Sequence, residues 1–333
     1  MNEKKKKASF LTTEFYLALF LILVLAFLGV AARDFYSINN IMSLLNTFSY
    51  ILISAIGMNM IIITSNIDVS TGALISVVCL FTAAIGKTGV PFAGLLPAAM
   101  LMGAVLSTMN GLFITKMKIP AIVATLATTQ IFQGVLPLLV EGSIYDLPAS
   151  FTWLAFDAKV FGIIPASVLI CLIVTVIALI FMKYSKFSKK IYAIGNNAKG
   201  ARLAGVNVNK TIVITYAIAG ALFGISAVII ATAGQRVTNT MGTGLEMTFI
   251  AAVVLGGTST AGGSGKIIGT VIGAFILAMI APAINYLGIS PNWSDAVKGA
   301  IIIISVVVSG AKYLKKKRVI HKGSTVEAGG GAS

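Results

Sequence analysis

Uncharged apolar stretches long enough to cross a bilayer recur along almost the whole chain, and they constrain the fold more than any other feature. Between charged residues lie the windows 15–32, 35–67, 69–86, 88–115, 119–140, 160–182, 211–235, 247–265 and 267–294. A further apolar segment runs from Trp293 to Ala311, with Asp295 and Lys298 near its start. A helix needs about 20 mainly apolar residues to span the hydrocarbon core, so these segments predict an all-α membrane protein of about ten transmembrane helices. The 35–67 window opens on the polar run Ser37-Ile38-Asn39-Asn40, which places its membrane part at about Met42 to Thr64. Only 11% of the residues are charged, against about 25% in soluble domains. An enzyme working free in the cytosol is excluded.

The net charge of +15 does not indicate nucleic acid, because Lys and Arg collect in tails and loops rather than on a folded polar face. Ten spans put both termini on one side. That side takes Lys4 to Lys7, Lys116, Lys118, the acid-free loop 183–210, Lys266 and the C-terminal basic residues, which are most of the 25 Lys and Arg. By the positive-inside rule both termini are cytoplasmic. The chain then divides into a basic N-terminal tail (1–14), a polytopic membrane domain (15–311) and a basic, disordered C-terminal tail (312–333). Lys4 to Lys7 followed by an apolar run also fits a signal peptide, with Ala31-Ala32 near a cut; an uncleaved first span suits the following segments better.

Two spans are interrupted, one in each half. The first break reads Thr64-Ser65-Asn66-Ile67-Asp68-Val69-Ser70-Thr71-Gly72, and the second runs from Gly256-Gly257-Thr258-Ser259 to Gly265. Non-helical backbone at membrane depth survives only where protein or water satisfies it. Paired interruptions in two halves point to a transport path, whereas the plainer alternative is two turns at the cytoplasmic surface. The candidates for path or hinge are Asn59, Asn66, Asp68, Ser70, Gln130, Glu246, Gly256, Gly257, Thr258 and Ser259. Asn110 and Gln133 are further polar residues at buried lengths, and interhelical hydrogen bonding explains them equally well. Asp68 is either a functional intramembrane carboxylate or a cap for the helix that follows. Glu246, at the opposite surface in this topology, either caps its span or lines the outer mouth. Gly265, Gly269 and Gly273, with Gly220 and Gly224, have the four-residue spacing of close helix packing.

Catalytic and metal inventories are thin. The single histidine, His321, lies in the C-terminal tail, and Cys79 and Cys171 both lie inside apolar runs. No metal site, cofactor site or phosphate-binding GxxxxGK[ST] loop is expected on this chain. The loop 183–210 carries Tyr192-Ala193-Ile194-Gly195-Asn196-Asn197-Ala198-Lys199-Gly200-Ala201-Arg202-Leu203-Ala204-Gly205. Asn197 reads as a helix start and Gly205 as its stop. A short helix surfaced with Ala and Gly fits a partner's groove; a loop that only anchors on anionic membrane lipid would not need it.

These stretches resemble the permease subunits of bacterial ATP-binding-cassette importers for ribose and related monosaccharides, which also serve rhamnose, xylose, galactose and autoinducer-2. Residues 66–72 are similar to the family's Gly-Ile-Asp-Leu-Ser-Val-Gly segment, with Asn66 in place of glycine and Thr71 in place of valine. Residues 191–208 and 242–263 resemble two further family stretches. The resemblance implies a permease that pairs with a second copy or paralogue, with an ATPase subunit that binds ATP and Mg, and with an extracytoplasmic solute-binding protein. It places ATPase coupling at Asn197, Ala198, Gly200, Ala201, Arg202, Leu203 and Gly205. The competing class is a secondary transporter driven by an ion gradient, for which Asp68 is the one well-placed relay. A membrane-embedded enzyme is disfavoured by the inventory.

Overall fold

The computed structural model describes residues 3–303 apart from 141, 146, 157, 161, 163, 235 and 302. Among the described residues a 3-10 turn at Arg33–Tyr36 and a helical stretch over 293–301 accompany twelve numbered α-helices. They are α1 (Glu3–Ala31), α2 (Ile38–Ile63), α3 (Thr71–Gly86), α4 (Phe92–Lys116), α5 (Ala121–Leu139), α6 (Ala149–Phe156), α7 (Ala166–Tyr184), α8 (Lys186–Asn196), α9 (Ala198–Leu203), α10 (Val208–Thr232), α11 (Leu245–Leu255) and α12 (Ile267–Tyr286). Two-residue strands β1 (Ser143–Ile144) and β4 (Val237–Thr238) pair antiparallel, as do β2 (Lys159–Val160) and β3 (Ile164–Pro165).

Among the described residues six helices are long and apolar enough to cross a membrane, and three shorter apolar helices accompany them at Leu17–Ala31, Thr71–Gly86 and Leu245–Leu255. The window 247–265, expected as one span, is helical only as far as Leu255, the end of an eleven-residue helix that starts at Leu245. Helix α1 begins at Glu3, inside the segment expected as a tail. The end of the tenth expected span, from residue 304, and the tail 312–333 lie outside the described residues.

Helix α2 is the axis of the bundle. Every residue from Ile51 to Ile63 is buried, so this half of the helix has no lipid-facing side. Apolar side chains on α4 and α7, including Leu101, Val105, Leu172 and Ile177, are exposed instead, as expected of surfaces bathed in acyl chains. Hydrophobicity alone does not hold such helices together, since lipid is as apolar as leucine; close backbone approach does. Along α4, Ala99, Gly103, Ser107 and Gly111 form a stripe against α10, where a Cβ on Gly220 would meet the Gly103 carbonyl and one on Gly224 the Ala99 carbonyl. Helices α11 and α12 pack in the same way. A Cβ on Gly269 would strike the Gly256 carbonyl, and one on Gly273 the Ala252 carbonyl. Hydroxyls inside the spans donate back to carbonyls one turn earlier, as Thr82 does to Val78, Thr115 to Gly111 and Thr215 to Thr211, which satisfies them without water.

The segment between α7 and α10 is held by three side-chain caps. Ser185 accepts from the Phe187 N–H, Asn197 from Gly200 and Asn207 from Lys210, each at 3.0 Å. Helix α9 starts after Asn197, as its sequence signal predicts, and the chain leaves it through Gly205 at φ 80°. Helix α8 buries Ser188, Ile191 and Ile194 and exposes Lys186, Lys189 and Lys190, an amphipathic pattern that lays it against the bundle.

A candidate translocation and coupling site

The first break, residues 64–70, leaves α2 by a left-handed turn. Ser65 takes φ 64°, a region costly for a residue with a Cβ. Its hydroxyl donates to the carbonyls of Ala261 (2.8 Å) and Gly195 (3.2 Å), which hold it there. Asn66, which stands where the resembled family has glycine, needs no such freedom; its amide donates to the Thr64 hydroxyl at 2.9 Å. Asp68 is fully buried, and one carboxylate oxygen accepts from both the N–H (2.9 Å) and the hydroxyl (2.6 Å) of Ser70. Asn110 of α4 donates to the same hydroxyl at 2.7 Å. Ser70 itself is the N-cap residue of α3, so Asp68 shapes the turn before the helix rather than occupying the cap. Asn110 sits about 9 Å along α4 from its end at Lys116, so this polar cluster lies inside the bundle.

The second break is tied to the same place. Asn59, buried on α2, donates from one amide nitrogen to the hydroxyls of Thr258 (2.8 Å) and Thr270 (2.6 Å). The Gly263 N–H donates to the Ile63 carbonyl at 2.9 Å, joining the two breaks through backbone. A Cβ on Gly262 would strike the Ser65 hydroxyl. Helix α8 closes the junction from the third side. The Tyr192 hydroxyl donates to the Gly265 carbonyl at 2.8 Å, and the Asn196 amide to the Gly263 carbonyl at 3.1 Å. Gly195 lies so close that a Cβ there would meet the Ile63 carbonyl and the Gly263 nitrogen. Burial pushes the Tyr192 phenol above its ordinary range, so it stays protonated and donating at neutral pH. The end of α8 thus touches both broken segments at once.

This arrangement can transmit displacement from a polar helix into two discontinuities of a membrane bundle. Comparison with known proteins fits that capacity. Residues 40–306 match the family described as the permease component of the branched-chain amino acid transport system. The chain belongs to this permease family. It is 35% identical over 297 residues to the ribose import permease protein RbsC of Escherichia coli K12, covering 88% of this chain and 92% of that one. It is 31% identical over 307 residues to RbsC of Haemophilus influenzae, covering 90% and 93%. It is 33% identical over 295 residues to the autoinducer 2 import system permease protein LsrC of Yersinia pestis (strain Pestoides F), covering 88% and 84%. No solved structure matches. The protein is a multi-pass permease of the cytoplasmic membrane, and the ion-gradient carrier is not the favoured reading.

In this permease the structure unites some of the residues singled out from the sequence and separates others. Asn59 meets Thr258, and Asp68 meets Ser70. Gly256 packs on Gly269, and Gly265 faces the Thr258 side chain. The Ser259 N–H closes a local turn on the Ser264 carbonyl at 3.0 Å, and Gly257 takes φ 88°. Glu246 does not lie at the surface opposite the first break, as the topology had placed it. Its carboxylate lies against Gly72, and the Gly242 N–H donates to Ser76 at 2.9 Å. The N-terminal ends of α3 and α11 meet here, with Glu246 half-buried between them. An acid in the first turn of α11 then sits favourably against both helix dipoles. Gln130 is apart from all of these, exposed on α5. None of the residues 197–205 makes a side-chain hydrogen bond to either break among the described residues; those contacts come from Tyr192 and Asn196, just before them. Tyr192, Gly195, Asn196, Ser65, Gly262 and Gly263 were not among the predicted site residues. Ser65, Gly262 and Gly263 lie within the two breaks read from the sequence, and the signal on α8 is a glycine and an asparagine at the end of the Ile191–Ile194 apolar face, where a surface helix would carry charge.

Proposed function

We propose that this permease is the membrane subunit of an ATP-binding-cassette importer for a monosaccharide or similar small neutral solute, driven by a separate ATPase through α8 and α9. In this reading the permease has ten spans with both termini cytoplasmic. It works as a pair of copies or paralogues with ATPase subunits and an extracytoplasmic solute-binding protein. ATP and Mg are bound by the ATPase, and this chain carries the path. The observation that supports the reading is the junction of α8 with both breaks: a partner that moves α8 and α9 by a few ångströms moves Ile63 and Gly263 with it. Solute class follows from chemistry. The family description names branched-chain amino acids, and a zwitterion needs paired fixed charges. The groups around the breaks are mainly amides, hydroxyls and backbone, and Asp68 is engaged by Ser70, which suits the ribose named for two of the relatives.

The test is an affinity pull-down of the intact permease from its own membranes in mild detergent, with co-purifying chains identified by mass spectrometry. Leu203 is 91% exposed at the end of α9, an unusual position for a leucine outside the membrane. Burying it in a partner contributes about 2 kcal/mol, so Leu203→Glu is expected to cut recovery of the ATPase at least tenfold. A permease that purifies alone and drives uptake in ATP-free vesicles under an ion gradient would overturn the reading. Asp68→Asn checks the same point from inside the bundle. Its side chain keeps an acceptor for the two Ser70 donors, so ATP-driven import should persist at half the native rate or better, whereas an ion-coupled carrier would lose coupling.

A further inference from the structure

Helix α5 exposes two different faces. One flank is apolar, with Ile131, Val135 and Leu138 at 58%, 40% and 84% exposure. The other carries Gln130, Gln133 and Pro137 at helical spacing, all exposed, with Gly134 beside them. Among the described residues neither glutamine amide makes a hydrogen bond. An unsatisfied amide facing acyl chains costs several kcal/mol, so this flank is not a lipid surface. Its outer end opens into a cavity of about 300 Å³ lined by Gln133, Leu136, Pro137, Asn239, Thr240 and Thr243. The far wall of that cavity is the loop that enters α11 from β4, the strand paired with β1 beyond the end of α5. The lining side chains are two amides, two hydroxyls and two apolar groups, with no fixed charge. A polyhydroxylated ring needs such a set: donors and acceptors for its hydroxyls, an apolar patch for its C–H face, and no ion to hold it.

We infer that the Gln130–Gln133 flank of α5, with Asn239, Thr240 and Thr243, is the water-filled wall along which a neutral sugar enters the permease. The inference rests on the proposed import function and assigns it a place. Each contact is single and uncharged, so binding is weak enough for the solute to move on. The broken segments lie deeper and act as the moving parts, whereas this wall is built on a continuous helix and meets the solute first.

The test uses the full importer in proteoliposomes. Cysteine placed at Gln130 or Gln133 reacts with a membrane-impermeant, charged maleimide only if water reaches it. The native Cys79 and Cys171 are buried. Gln130→Cys and Gln133→Cys are expected to label, and Ile131→Cys, on the apolar flank, is expected to label at least tenfold more slowly. Gln133→Leu and Thr240→Val should lower the maximal uptake of radiolabelled ribose, xylose or galactose about tenfold, with ATPase recovery unchanged and Gln133→Asn restoring most of the rate. Unlabelled glutamine positions in an importer that carries any of these sugars would overturn the wall and leave the import function standing. A native complex that imports none of the sugars would overturn the solute class, and labelling would still report whether the flank is wet.

Discussion

Gly195→Val is expected to lower import by at least tenfold while the ATPase still co-purifies. The glycine sits at the end of α8 where a Cβ would occupy the space between the Ile63 carbonyl and the Gly263 nitrogen. Those two groups are hydrogen-bonded to one another at 2.9 Å, so any side chain separates the breaks from each other as well as from α8. Nothing flexible can give way, because both neighbours are backbone. The surface proposed for the ATPase is untouched, since Leu203 and the Asn197 cap lie on the next helix. The importer containing the variant should therefore hydrolyse ATP on its ATPase subunit without moving solute. Uptake and ATPase rates measured on one preparation decide it, and native import by Gly195→Val would mean that force enters the bundle elsewhere. Gly200→Ala is the contrast: the atoms nearest its Cβ would all belong to the Asn197 side chain, at 3.0 Å or beyond, and uptake should change less than twofold.

Gly220→Leu is expected to be the most damaging change to the fold. Overpacking a core usually costs about 1–3 kcal/mol, because neighbouring side chains shift. At Gly220 the neighbours are the Gly103 carbonyl and the Ser107 Cβ, and the contact between α4 and α10 depends on that approach. Leucine there forces the two helices apart along their whole stripe, so the loss should exceed about 3 kcal/mol and most of the protein should fail to fold into the membrane. Thermal aggregation in detergent, followed by chromatography, measures it. Gly134→Ala, with nothing within 4 Å of the added Cβ, should melt with the native protein. A stable, monodisperse Gly220→Leu permease would show that α4 and α10 are held by something other than backbone proximity.

Composition and the spacing of charges carried the membrane class, because an apolar run between charged residues has few other places to go. The start of α9 at Asn197 and its stop at Gly205 were equally legible, since caps and left-handed glycines are local devices. The glycines at four-residue spacing announced a packing face without naming the partner: Gly220 and Gly224 face α4, whereas Gly269 and Gly273 face α11.

What a linear pattern could not hold is depth and convergence. The window 247–265 reads as one span, yet α11 covers half of it because the chain re-enters the bundle to start beside Gly72. That meeting sets Glu246, half-buried, against Gly72 rather than across the bundle from the first break. Asn59 and Ser65 at the end of α2, Gly195 and Gly263 come from three distant stretches, and none carries a local signal for its partners in the other two. By itself the sequence determined that the chain is a polytopic helical bundle with two interruptions and a capped polar helix beside them. Only the tertiary structure decided that the interruptions and the helix meet at one point, because backbone groups excluded from water must find partners wherever the fold brings them together.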